Sequence, residues 1–356
     1  MNGSSPGVEE GRRRHVREQG SAVAWVESPL QMLCAVEAHH AGLLGSGTRI
    51  VPRAKLPALA ATRRELNRLG LPAHSVIDSA QSEMPRPSRG GTWVVGDAFS
   101  GKVQLRLLAG TGRRVVIVDD GLATIRLLEL LSGHALPPLL RARPVGSGPV
   151  RGLLRAALGR AAGLRLRLAA RRGRLSVFTA LPVPAELADA VRATGAELLT
   201  HDFPWLRARP DEPTQPGERT IVLGTSLVRN GLIHRDPYLC WLAGLAERNP
   251  VAYFPHRRED PADLDLVRGQ PGVHVYDGGA PAEITLRGLS QGQRVVSLPS
   301  TAVTSLRVLL SPRGVPVETV DVPDEWWTAD AAPSLRSHLQ MFAHHDHGTH
   351  DIGVTS

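Results

Sequence analysis

Cysteine is scarce: Cys34 and Cys240 are the only two in 356 residues. They lie far apart in apolar helical contexts, which excludes a disulfide framework and predicts free thiols in a reducing compartment. Aromatic residues make up 4%, too few for a base-stacking platform for single-stranded nucleic acid. No window holds 18 uninterrupted apolar residues, so no transmembrane helix is expected. Residues 1–20 are Gly-, Glu- and Arg-rich and lack the apolar stretch of a secretory signal. They are expected to be disordered, and the chain to be cytoplasmic. Neither a Walker sequence nor G-x-G-x-x-G occurs, which disfavours ordinary NTPase and dinucleotide readings.

What is present is apolar and basic. The hydrophobic fraction is 42% and the net charge is +8. That balance allows a sizeable core and implies an anionic partner: a phosphate-bearing ligand, nucleic acid or a membrane surface. The length suits about two domains. Short β-branched runs alternate with helical patterns from Ala22 onward. The sequence Glu27-Ser28-Pro29 ends the first strand and opens a helix, with Ser28 at the N-cap and Pro29 in the first turn. Further strands are expected at 49–51, 75–77, 92–97, 115–118, 175–179 and 197–200. The Pro-rich polar stretch 211–218 reads as a linker. After it the pattern restarts, with strands at 220–223, 251–254, 273–276 and 294–298. The expected organisation is an α/β first half over 21–210, a second α/β half over 219–340, and a patternless tail over 341–356. The tail holds His344, His345, His347 and His350 with Asp346 and Asp351, read as adventitious surface residues, and no metal site is expected.

Candidate chemistry falls at strand ends, where open α/β sheets bind ligands. The buried run Val115–Val118 stops at Asp119-Asp120-Gly121. Two adjacent carboxylates suit a general base, although the same residues also suit a plain turn with a helix cap. In the second half, His256 follows a strand and is flanked by Arg257 and Arg258. Ser300 and Thr301 open a helix, and Gly224-Thr225-Ser226 forms a third turn. Hydroxyls, backbone N–H groups and positive charge at such turns suit a phosphate, and a protonated histidine suits a departing one.

The order of these motifs resembles that of the bacterial sialyltransferases and polysialyltransferases. Asp119-Asp120-Gly121 matches their D/E-D/E-G motif. Tyr253-Phe254-Pro255-His256-Arg257-Arg258-Glu259 resembles their His-Pro motif, with Arg257 where the family has Pro, and Ser300-Thr301 resembles their Ser/Thr pair. Glu27-Ser28-Pro29-Leu30-Gln31, Gly96-Asp97 and Pro281-Ala282-Glu283 are further similarities. The resemblance implies a GT-B fold, two Rossmann-like domains facing a cleft, and an inverting, metal-independent transfer from CMP-sialic acid or a related nucleotide sugar to a glycan acceptor, without a cofactor. It implies Asp119 as the base and His256 as the group assisting departure of the CMP phosphate. Ser300 and Thr301 would hold that phosphate and Glu283 the ribose; Gly224, Thr225 and Arg257, from the turns described above, are the remaining donor-side candidates. Ser28, Gln31 and Asp97 fall on the acceptor side, and Asp120, the alternative base of the catalytic pair, is expected to cap the following helix. Another nucleotide-sugar donor, or a non-catalytic polyanion-binding protein, are the competing readings.

Residues 141–174 contain ten arginines and no acidic residue. They read either as a solvated, loosely ordered insert or as a basic amphipathic helix contacting an anionic acceptor or anionic lipid at the inner face of the membrane. RNA is a third option, but no RNA motif accompanies the charge and no specific nucleic acid is expected.

Overall fold

The computed structural model describes residues 21–339 except 89, 111, 134, 136, 141–148, 211–215, 258, 277–279, 334–335 and 337–338. The expectations for 1–20, the histidine tail, Arg258 and much of the 211–218 linker therefore lie outside the described residues. Two compact units are present. One runs to Thr179 and includes Val183–His201; the other comprises Ala180–Pro182 and the chain from Asp202.

The first unit is a seven-stranded parallel sheet. Its strands are β1 (Ala22–Val26), β2 (Thr48–Pro52), β3 (Ser75–Ile77), β4 (Trp93–Val95), β5 (Val115–Val118), β6 (Leu175–Thr179) and β7 (Glu197–Thr200). Their order is β3-β2-β1-β4-β5-β6-β7, with Ala24 opposite Ile50 on one side and Val94 on the other. Strands β1, β4, β5 and β6 are buried along their whole length, as expected of parallel strands covered on both faces. The helices are α1 (Pro29–His40), α2 (Pro57–Arg68), α3 (Gly101–Ala109), α4 (Leu122–Ser132), α5 (Pro149–Arg171) and α6 (Ala185–Ala193). Ser28 caps α1 by accepting from Gln31 N–H at 3.3 Å, with Pro29 in the first turn, as the sequence predicts. The basic segment is not loosely ordered where it is described: 149–171 is one 23-residue helix.

The second unit carries β8 (Thr220–Leu223), β9 (Val251–Phe254), β10 (Val273–Val275), β11 (Arg294–Ser297) and β12 (Val317–Thr319) in the order β10-β9-β8-β11-β12. Its helices are α7 (Pro204–Arg207), α8 (Arg235–Ala246), α9 (Pro261–Arg268), α10 (Ala282–Thr285) and α11 (Thr301–Leu310). Both sheets share the doubly wound pattern in which strand order reverses beside the first strand, between β1 and β4 and between β8 and β11. The fold class is thus α/β with two Rossmann-like parallel sheets. The units divide ahead of the Pro-rich stretch because α7 is already anchored in the second. Phe203 and Trp205 are buried, Arg207 donates to Val308 O, and Arg287 donates to Pro210 O at 3.1 Å. Among the described residues no helix is long and apolar enough to cross a membrane.

Candidate functional site

The carboxyl edge of the first sheet gathers the expected acceptor-side residues. Strand β4 lies between β1 and β5, yet Ser28 after β1 donates to Asp120 Oδ1 after β5 at 2.9 Å. The bridge passes over the end of β4, where the chain turns through Gly96. A side chain there would collide with Gln31, whose Cδ lies 2.1 Å from the ideal Cβ position, so glycine is required. Gln31 is buried and accepts from Glu27 N–H at 2.7 Å. Glu27 in turn takes Trp25 Nε1 at 2.8 Å, Ser100 Oγ at 3.0 Å and Arg53 at 3.0 Å. Asp97 is buried and accepts from Phe99 N–H at 2.8 Å. Of the three residues expected on the acceptor side, Ser28 touches the carboxylate pair, whereas Gln31 and Asp97 hold the turns around it.

Within the pair the structure corrects the expected placement. Asp119 is only 1% exposed. Its Oδ1 accepts from Gly121 N–H at 2.9 Å and from Thr124 Oγ1 at 2.8 Å; its Oδ2 accepts from Thr179 Oγ1 at 2.8 Å. Asp119 is therefore the turn-former, accepting from the N–H of Gly121, the N-cap residue of α4, whose φ is +70°. Asp120 does not cap α4. Its backbone N–H donates to Thr124 Oγ1 at 2.9 Å, while its side chain is half-buried against Ser28. Thr124 and Thr179 lacked any local signal of this role, since Thr179 is 60 residues away and reaches Asp119 only through the β5–β6 pairing.

In the second unit the three expected turns fall together, because β8 pairs with both β9 and β11. Ser300 holds the N-cap position of α11 without a side-chain capping bond. The Thr301 side chain lies outside the described atoms. Arg257 is exposed and His256 half-buried. Glu283, expected at the ribose, is buried and accepts from Ser305 Oγ, so its carboxylate ties α10 to α11.

The residue missed in sequence is Glu259. Its Oε1 accepts from Tyr253 Oη at 2.9 Å and from His256 N–H at 3.0 Å, and Tyr238 Oη lies 3.0 Å behind Tyr253 Oη. The same oxygen lies 1.9 Å from where a Gly224 Cβ would stand. Glu259 thus joins the β8 and β9 turns. The only local hint was its position three residues after His256. With Thr225, Arg229, Arg235 and Tyr253 it lines a recess of about 300 Å³.

Burial pushes the Glu259 carboxyl up to about 7, against the opposing pull of the His256 N–H, the Tyr253 hydroxyl and the Thr225 N–H; Asp263 adds a small push in the same direction as burial. Arg229 donates to the Glu259 backbone oxygen at 3.5 Å. Burial also raises both phenols, which keeps them as donors. The folded protein then holds a proton that the unfolded chain releases above pH ~4.5. Stability contributed by Glu259 is present below that pH and is lost as pH rises through about 7. A shift of this size corresponds to roughly 3 kcal/mol at most. Glu259→Gln is therefore expected to gain on the wild type between pH 5 and 8 in denaturant melts. A pH-independent difference between the two would remove Glu259 as the titrating group.

No family model matches the chain, and no curated protein matches it. Solved structures do resemble it. A UDP-glucose:anthocyanidin 3-O-glucosyltransferase in complex with UDP aligns over 92% of this chain and 94% of its own, with 11% identity and a TM-score of 0.47. A UDP-glucosyltransferase from Polygonum tinctorium aligns over 92% and 94%, with 12% identity and a TM-score of 0.42. A spinosyn rhamnosyltransferase aligns over 91% and 89%, with 13% identity and a TM-score of 0.32.

Proposed function

We propose that the protein is an inverting GT-B glycosyltransferase that moves a sugar from a nucleotide-activated donor, CMP-sialic acid, to a hydroxyl of a glycan acceptor. The observation that carries the reading is the Ser28–Asp120 pair. It is a half-buried carboxylate on a sheet's ligand-binding edge, oriented by a hydroxyl, in a turn that Asp119 and Thr124 hold. Asp120 takes the proton of the acceptor hydroxyl. The acceptor oxygen forms its bond to the anomeric carbon as the bond to the nucleotide phosphate breaks, and His256 donates a proton to that phosphate. The N-terminus of α11 at Ser300 supplies N–H groups and a hydroxyl for its charge, beside the Gly224–Thr225 turn. The choice of CMP and sialic acid rests on the motif order around Asp119, His256 and Ser300.

The test is thermal-shift titration with CMP, UDP and GDP, followed by transfer assays with the matching sugar nucleotides. Selective stabilisation by CMP and turnover of CMP-sialic acid are expected. Selective stabilisation by UDP or GDP would replace the donor, and stabilisation only by a polyanion such as heparin would replace the enzyme reading. Among the described residues no group of three His, Cys, Asp or Glu side chains is placed to hold a metal ion, and the turns at His256 and Ser300 suit an anion directly. Transfer is therefore expected to persist in excess EDTA. Complete loss, restored by Mg²⁺ or Mn²⁺, would contradict this part of the proposal.

A further inference from the structure

Helix α5 faces two ways. Ala162, Leu166 and Ala170 are buried, and Gly159 stands where a Cβ would come within 2.9 Å of the Leu139 backbone, so this side packs on the unit. The opposite side is also apolar, and it is open. Val150 is 69% exposed, Leu153 73%, Leu154 66% and Leu164 60%. Val150, Leu154, Ala157, Ala161, Leu164 and Leu168 follow one another in steps of four and three, which at ~100° per residue is a single continuous stripe. Arginines border it: Arg151 and Arg165 on one side, Arg160 and Arg171 on the other. An apolar stripe that spans a whole 23-residue helix and is rimmed by charge marks an interaction surface.

The charge decides the occupant. A second copy of the same face would set arginine against arginine, because 141–174 contains no acidic residue to answer them. The C-terminal end of α5 adds an open recess lined by Arg113, Arg165, Leu168, Arg172 and Arg174, in which Arg165 donates to Gly110 O and Arg174 to Gly112 O, both at 2.9 Å. Positive charge directly beside apolar surface, repeated along the helix, complements a phospholipid, whose phosphate and acyl chains are likewise adjacent. We propose that α5 lies flat in the interface of a bilayer containing anionic phospholipid. Its leucines enter the acyl boundary while the arginine stems extend outward to the phosphates.

The experiment is vesicle flotation of the full chain, with phosphatidylcholine alone and with mixed phosphatidylcholine–phosphatidylglycerol vesicles. Binding to the mixed vesicles only is expected, weakening as salt shortens the range of the surface charge. Leu153→Ser with Leu154→Ser keeps every charge and is expected to lower vesicle partitioning about tenfold or more; Arg151→Glu with Arg160→Glu is expected to do the same. All four side chains are exposed, so the melting curve should not move, and no sugar transfer enters the readout. Wild-type partitioning in the leucine variant, or equal binding to neutral vesicles, would overturn the proposal. So would a dimer in sedimentation that the leucine variant dissolves while wild type ignores vesicles, since the occupant would then be a second copy.

Discussion

Asp120→Asn is expected to bind the donor nucleotide normally, melt near the wild-type temperature and lose sugar transfer by about 10²–10⁴-fold, the usual contribution of a positioned base. The amide still accepts a hydrogen bond from Ser28 but no longer takes up the acceptor proton. Asp119→Ala behaves in the opposite way. Gly121 N–H, Thr124 Oγ1 and Thr179 Oγ1 all donate to the Asp119 carboxylate in a buried environment. Leaving such donors unanswered costs about 1–3 kcal/mol each, so the variant is expected to lose more than about 3 kcal/mol of stability, with activity falling because the turn is gone. Urea melts and transfer rates for both variants separate the roles. Wild-type transfer in Asp120→Asn would move the base elsewhere, and an Asp119→Ala protein of normal stability would show that the buried network is not what holds the turn.

The contrast between the two aspartates shows where sequence reading stops. The strand Val115–Val118 and the carboxylates at its end are legible, because four β-branched residues bounded by glycines read as a buried strand. Which carboxylate faces outward is decided by partners distant in sequence. Thr179 arrives through β6, and Ser28 arrives from β1 across an intervening strand. Neither leaves a local signature. Glu283 illustrates the same limit: its motif position is visible, but its engagement with Ser305 depends on how α10 packs against α11. The parallel α/β character of both halves was legible from the alternation of strand and helix, whereas the strand order was not. The short edge strand Val317–Thr319 was not, since three residues, one buried, one exposed and one half-buried, give too little periodicity to recognise. The basic segment gave its charge away in sequence, but its leucines read equally well as an inward-facing stripe. Only the burial of Ala162, Leu166 and Ala170 on the other side shows that the leucines at 153, 154 and 164 point outward.

Gly224→Ala carries the second large expected effect, since Gly224 is the point where β8 meets the Glu259 network. The added methyl would stand 1.9 Å from Glu259 Oε1, 2.8 Å from the His256 backbone nitrogen and 2.8 Å from Tyr253 Oη. The carboxylate could swing away, but the His256 nitrogen belongs to the backbone of the neighbouring turn and Tyr253 is fully buried. Accommodation therefore requires the β8 and β9 turns to separate and Glu259 to release both its Tyr253 and His256 hydrogen bonds. Overpacking costs about 1–3 kcal/mol and each of the two unanswered buried donors about 1–3 more, so a loss of about 3 kcal/mol or more is expected, with nucleotide binding lost alongside it. Combining the change with Glu259→Ala tests the mechanism. Removing the carboxylate clears the closest clash, so the double variant should be less destabilised than the sum of the two single changes. Strict additivity in denaturant melts would show that Gly224 and Glu259 do not act through this contact, and unchanged stability in Gly224→Ala alone would show that the turns are not joined as described.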